Sequence, residues 1–290
     1  IKENLVMANT ILTALYSYID KPKPDFTTVT RRMSRRVSKV DNRRTKTRGF
    51  ALSDEHYRQI RTRMATWAHD DTVYNIHHKY ARQRLYHAMT LAYLTRARPG
   101  TELTAIRLND LEFKNYGSVS TYRIETTGKI GSRTLLMDAS TNQVAFFKLW
   151  VDNLDKNFPG LGFDGDNPYL FAGSTKTKVV ASKRLNTVRL NQLFKSFLRM
   201  PGNEDIRFHP AQVTGRDDDN SLEVVFYDIR TTAISQFITE RPELNHIQMA
   251  HLCGVTVGTM EYYYIYHNEM KNAAKWIGFD KPSVEDEEAE

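Results

Sequence analysis

A chain of 290 residues with 40% hydrophobic and 11% aromatic content can bury a proper core, which excludes a disordered or fibrous protein. Lys and Arg outnumber Asp and Glu by 41 to 34, a formal net charge of +7, and this balance favours a polyanionic partner. The single cysteine, Cys253, excludes an intrachain disulfide and a cysteine-based zinc cluster, and no apolar run approaches the ~18 residues of a membrane span.

In chain order, Asn4 to Ile19 carries Leu5, Ala8, Ile11, Leu12 and Leu15 at helical spacing, and Phe26 to Val40 reads as a second helix. From Arg31 to Arg48 the basic residues are Arg31, Arg32, Arg35, Arg36, Lys39, Arg43, Arg44, Lys46 and Arg48, against the one acid Asp41. That composition suits DNA or RNA; a solvated basic linker is the plain alternative. Residues 41 to 50 are nearly without apolar side chains, so a domain boundary is expected near residue 48. No charged segment followed by an apolar one opens the chain, so neither anchoring nor secretion is expected, and the protein is placed in the cell interior.

A helix is expected after Ser53, an N-cap, and another from Lys79 to Thr95 with Leu85, Ala88, Met89 and Ala92 on one face, stopping at Pro99-Gly100. Extended runs at Leu111 to Phe113, Ser118 to Glu125 and Thr134 to Met137 predict a three-stranded antiparallel meander. Helices follow at Thr141 to Leu154 and Asn186 to Met200, separated by a Gly/Pro-rich loop from Phe158 to Ser174, and residues 201 to 223 are polar and turn-rich. Further helices are expected at Tyr227 to Thr239, Leu244 to Leu252, Val257 to Tyr264 and Asn268 to Ile277; the last eleven residues, with six acids, read as a disordered tail. The fold class is therefore mainly α with a small antiparallel β-sheet (α+β), divided into 1–48, 49–279 and the tail 280–290. No phosphate-cradling or dinucleotide fingerprint occurs, so nucleotide-driven chemistry has no support.

Four stretches carry the candidate chemistry: LTRARPGTELTAIRLNDLEF with Arg98 and Glu102, TGKIGSRTLLM with Lys129, FYDIRTT with Tyr227 and Arg230, and GVTVGTMEYYYIYH with Tyr262, Tyr263, Tyr264 and Tyr266. Cutting DNA without a metal requires a nucleophile, cations on the pentavalent phosphate and an acid for the leaving 5′-oxygen. Two arginines match phosphate oxygens bidentately, a tyrosine gains nucleophilicity in their field, and a lysine on a hairpin can protonate the leaving group.

Taken singly each stretch has a plainer reading: Arg98 as a ligand of helix-end carbonyls, Lys129 as a turn lysine, Arg230 as a structural partner of Asp228 or Glu240, and Glu102 as the residue that orients Arg98. His77 and His78 read as surface or DNA-contact residues.

Together, and in this order over about residues 50 to 270, the stretches resemble the tyrosine recombinase (phage integrase) family. The resemblance assigns Arg98 and Arg230 as the two catalytic arginines, with Arg96 a minor competitor for the first because the Arg98-to-Glu102 spacing is one residue longer than usual. It assigns Lys129 as the general acid and, nine residues after the position that Val255 occupies, Tyr264 as the nucleophile; Tyr263 is the alternative one register earlier. Both family histidines are replaced, one by Tyr227 and one by Val255, and His251, one turn before Val255, is a candidate substitute.

What the resemblance implies is a partial core-binding domain followed by a tyrosine recombinase catalytic domain that exchanges strands through a 3′-phosphotyrosine, with no cofactor and no metal. It implies double-stranded DNA attachment sites, a homotetramer on DNA joined by the segment 268–277, possible DNA-bending accessory proteins, and a mobile element in the cytoplasm or nucleoid of a bacterial or phage host cell. A type IB topoisomerase and a catalytically silent DNA-binding protein of the same fold stay open as alternatives.

Overall fold

The computed structural model describes residues 50–261 except residue 101 and residues 117–118, 129–130, 138–139, 176–177 and 210–221; within 113–133, and at residue 141, only backbone is described. The chain divides after Gly49 into two units, and every described residue belongs to the second. The expected helices at 4–19, 26–40 and 268–277, the basic residues Arg31 to Arg48, Lys129, the tyrosines from Tyr262 onward and the acidic tail lie outside the described residues.

The described part is mainly helical with a small antiparallel sheet, as its composition and periodicity predict. The helices are α1 (Asp54–Ala68), α2 (Ile76–Thr95), α3 (Thr141–Asp152), α4 (Leu154–Asn157), α5 (Thr187–Leu198), α6 (Phe226–Glu240), α7 (His246–Cys253) and α8 (Val257–Met260). Most begin where the sequence supplies a side-chain oxygen for an orphan N–H. Ser53 accepts from His56, Asn75 from His77 and His78, Ser140 from Gln143, Asn186 from Val188 and Asn245 from Gln248. Gln143 and Gln248 return the bond to Ser140 and Asn245, which closes two capping boxes.

Helix α2 is buried on nearly every side, by Tyr80, Leu85, Ala88, Met89, Leu91 and Ala92 among others, and packs against α1, α5 and α6. It is the spine of the domain. A smaller cluster of Ile234, Phe237, Met249, Ala250, Cys253 and Met260 joins α6, α7 and α8.

Strands β1 (Leu111–Tyr116), β2 (Val119–Gly128) and β3 (Gly131–Leu136) form the expected meander, with Leu111 opposite Ile124 and Gly128 opposite Gly131. A second, two-stranded sheet has β4 (Ala172–Ser174) at the end of the expected loop and β5 (Val179–Arg184) in the stretch before the Asn186 helix to which the sequence assigns no element. β4 is too short to show alternation, and it is held by tertiary bonds. The Tyr80 hydroxyl donates to the Leu170 carbonyl at 2.9 Å and accepts from Ala172 N–H at 2.9 Å, while Arg84 donates to the Ala172 carbonyl. Gly173 is obligatory there, because a Cβ would meet the backbone of Arg184. The helix expected to run unbroken to Leu154 turns at Asn153, whose side chain donates back to the Leu149 carbonyl at 2.8 Å.

His87, buried on α2, stacks on Trp150 with centroids 4.0 Å apart, and burial pushes its pKa well below the ordinary 6.5. A depressed histidine pKa means the native state holds the neutral ring, so its stabilising contribution is complete above about pH 6.5 and is lost as pH falls below that value. Urea unfolding is expected to show stability declining below pH 6.5 by up to about 1.4 kcal/mol per pH unit, and His87→Phe is expected to flatten that slope. An unchanged slope in the variant would remove His87 as its source.

No helix among the described residues is long and apolar enough to cross a membrane.

Candidate functional site

The site starts at the end of α2. Arg96 takes the left-handed conformation, φ 57°, which a non-glycine residue adopts only at a cost of about 1 kcal/mol, and its guanidinium sits 4.2 Å over the Phe237 ring. The chain reverses through Pro99 and Gly100, and the Arg98 carbonyl accepts from Glu102 N–H at 3.2 Å and Leu103 N–H at 2.9 Å. This turn folds the Glu102 carboxylate back onto Arg98. One oxygen accepts the Arg98 backbone N–H at 2.8 Å and the other its guanidinium at 2.8 Å. Arg98 therefore directs its guanidinium to this carboxylate, while that of Arg96 lies against Phe237.

Arg230, on the second turn of α6, reaches the same carboxylate. Its Nη1 is 3.7 Å from Glu102 Oε2, and neither side chain has exposed surface. Nη1 also donates to the Arg96 carbonyl and Nη2 to the Cys253 carbonyl at 2.8 Å. One guanidinium thus ties the 96–102 turn, α6 and the C-terminal end of α7 together. The sequence-based partners for Arg230 were Asp228 or Glu240; the carboxylate beside it is that of Glu102, since a residue two positions away on a helix faces elsewhere. Burying these charges is costly unless they are paired, and Glu102 supplies the pairing. Among the described residues two guanidiniums share this carboxylate, and Arg98, with 19% of its side chain exposed, is the member that reaches solvent.

Tyr227 lies on the first turn of α6, three residues before Arg230 and so on the same side of the helix, and is 41% exposed. After α7 the chain turns at Gly254, φ 61°, the position the family glycine occupies in the resemblance. Val255 packs against the Phe237 and Met249 cluster, so it points into core. His251 is exposed on the last turn of α7, and His246 Nδ1 lies 3.3 Å from Glu261, immediately before the tyrosine run. His77 accepts the Val179 N–H at 3.3 Å, which gives it a structural part, while His78 is exposed. Among the described residues no group of three or more His, Cys, Asp or Glu side chains is placed to hold a metal ion.

Sequence reasoning missed Asp228 and His209. Asp228 is buried at the third position of α6, where one oxygen accepts Phe50 N–H at 3.0 Å and the other accepts Val225 N–H at 2.7 Å and His209 Nε2 at 2.9 Å. Phe50 in turn lies against the His209 ring, centroids 5.4 Å apart, and Leu52 N–H bonds Thr232 Oγ1 at 2.8 Å. These bonds fix the N-terminal end of the helix that carries Tyr227 and Arg230. The available signal was the absence of any capping side chain at Val225, which leaves the third residue of the helix to do that work.

No protein-family model and no curated protein sequence matches the chain. Among solved structures it is similar to lambda integrase bound to DNA, at 13% identity and TM-score 0.39, over 72% of this chain and 57% of that one. It is also similar to a lambda integrase dimer bound to a COC′ core site, at 14% identity and TM-score 0.40, over 76% and 60%. A third is the Tn1549 transposon integrase in complex with transposon right-end DNA, at 11% identity and TM-score 0.34, over 79% and 67%. The match thus spans 57 to 60% of the lambda integrase chains to which this chain is similar.

Proposed function

We propose that the chain is a site-specific DNA recombinase that breaks and rejoins strands through a 3′-phosphotyrosine. The observation that carries this reading is the meeting of Arg98 and Arg230, far apart in sequence, on the one buried carboxylate of Glu102. Such a pair of planar forks suits the equatorial oxygens of a pentavalent phosphate. In the proposed cycle the Tyr264 phenol gives up its proton to solvent in the field of the two arginines, the phenolate forms the new O–P bond as the P–O5′ bond breaks, Lys129 protonates the departing 5′-oxygen, and Tyr227 donates a phenolic hydrogen bond to a phosphate oxygen. Attack by the 5′-hydroxyl of a second DNA end reverses the step and frees the tyrosine, so no nucleotide is consumed. Action on paired attachment sites as a homotetramer belongs to the same proposal.

A second reading, a catalytically silent DNA-binding protein, is favoured by one observation. Arg230 is wholly buried and donates to the carbonyls of Arg96 and Cys253, so a phosphate would have to displace those bonds.

The deciding experiment uses a nicked suicide duplex built on the sequence that the protein selects from a random duplex pool. A denaturation-resistant protein–DNA adduct is expected from wild type, lost in Tyr264→Phe and kept in Tyr263→Phe. Loss in Tyr263→Phe alone would move the nucleophile one residue earlier. Intact binding without any adduct from wild type would establish the silent reading.

A further inference from the structure

Three cations converge on one carboxylate just before α6. Glu223 accepts from Lys195 Nζ at 2.9 Å, from Arg199 at 3.0 and 2.8 Å, and from Arg207 at 3.0 and 2.7 Å. Lys195 stands on the last turn of α5 and Arg199, four residues on, is its C-cap, and Arg207 reaches in from the segment whose carbonyl accepts Val224 N–H at 2.9 Å. The Arg199 bond first, then those of Lys195 and Arg207, hold the Glu223 carboxyl far below the usual carboxylate range, so it stays ionised across the working pH range. Even so, the four groups sum to a charge of +2. The carboxylate is 17% exposed, whereas Arg199 is 53% and Arg207 34%, so the excess positive charge faces solvent while the acid sits behind it. A structural ion pair needs one cation; two more, on partly exposed arginine side chains, are what an incoming phosphate would meet.

The placement decides which phosphate. Glu223 is four residues before Tyr227, and four residues of chain span at most about 14 Å. Duplex DNA carries one phosphate per about 3.4 Å of axis on each strand, so a duplex with its reacting phosphate at Arg98 and Tyr227 has further phosphates within reach of this cluster.

Resting on the proposed function, we infer that Lys195, Arg199 and Arg207, gathered by Glu223, form a second phosphate site for the backbone of the same duplex, flanking the reacting phosphate. Glu223 gathers the three donors and offsets one of their charges. The site holds the duplex without reading its sequence, as phosphate contacts do.

The test is equilibrium binding of a random-sequence 30-base-pair duplex between 50 and 200 mM salt, in a Tyr264→Phe background so that no covalent step intervenes. Each of Arg199→Gln and Lys195→Gln is expected to reduce the slope of log K against log salt by about 0.9, so that the affinity lost across that range shrinks about 3.5-fold per variant. Glu223→Gln, which raises the local charge, is expected to tighten binding and steepen the slope. Melting temperatures near wild type for the Arg199→Gln and Lys195→Gln variants establish that folding is not the cause. An unchanged slope in the Arg199→Gln, Lys195→Gln double variant overturns the inference, as does a loss confined to single-stranded RNA. The adduct assay is independent of this measurement: a changed slope without adduct removes the recombinase reading and leaves the phosphate site, and an adduct with an unchanged slope does the reverse.

Discussion

Glu102→Gln is expected to cost about 3 to 5 kcal/mol of folding stability, the range for removing one partner from a buried ion pair. Glu102 is fully buried and accepts the Arg98 N–H and the Arg98 guanidinium, with Arg230 at 3.7 Å. Glutamine has the same shape, but its amide turns two N–H donors toward groups that are themselves only donors. The attraction of the carboxylate is lost, the one remaining oxygen cannot serve both arginines, and the guanidinium of Arg230 cannot reach water. The check is a urea titration in which the midpoint falls while the denaturant slope stays constant. Arg98→Gln provides the contrast: its side chain is partly exposed, so stability is expected to change less while adduct formation falls by about 100-fold or more, the scale for losing a charge-stabilising donor in a transition state. A cost below about 1 kcal/mol for Glu102→Gln would mean that the arginines do not depend on this carboxylate.

Asp228→Ala is expected to cost about 3 kcal/mol or more, since it strands the N–H groups of Phe50 and Val225 and the ring N–H of His209 in a buried place. Thr232→Val, which removes the acceptor for Leu52 N–H and the hydroxyl's own bond to the Asp228 carbonyl but leaves the Asp228 carboxylate in place, is expected to cost about 1 kcal/mol. The difference between the two separates the carboxylate's role at the start of α6 from general loosening of the Phe50–Leu52 segment. Comparable costs for both would show that Asp228 is no more than one of several equivalent anchors. Because Tyr227 and Arg230 flank Asp228 on the same helix, the alanine variant is also expected to lose adduct formation at temperatures well below its own melting point.

Local signals carried much of the fold. Ser53 announces its helix because an N-cap needs only the residues beside it, and the caps Asn75 and Asn245 set starts at Ile76 and His246 where periodicity alone gives Lys79 and Leu244. The three-stranded meander was legible from turn residues and short extended runs, although β1 continues to Tyr116 because its partner Val119 lies directly across the turn. The β4–β5 sheet was not legible, since Tyr80 and Arg84, on a distant helix, supply the groups that hold β4.

The same division runs through the site. Residue type and order alone determined which side chains to examine: Arg98 with its nearby Glu102, Arg230 on an amphipathic helix, and a glycine that ends α7 in a left-handed turn. They did so because each depends on its immediate neighbours. Only the tertiary structure decided that one carboxylate serves both arginines, that Asp228 belongs to His209 and Phe50, and that Glu223 gathers three cations. Those pairings join residues whose chain separation exceeds any local period, and burial determines them by requiring every charge removed from water to find an opposite one.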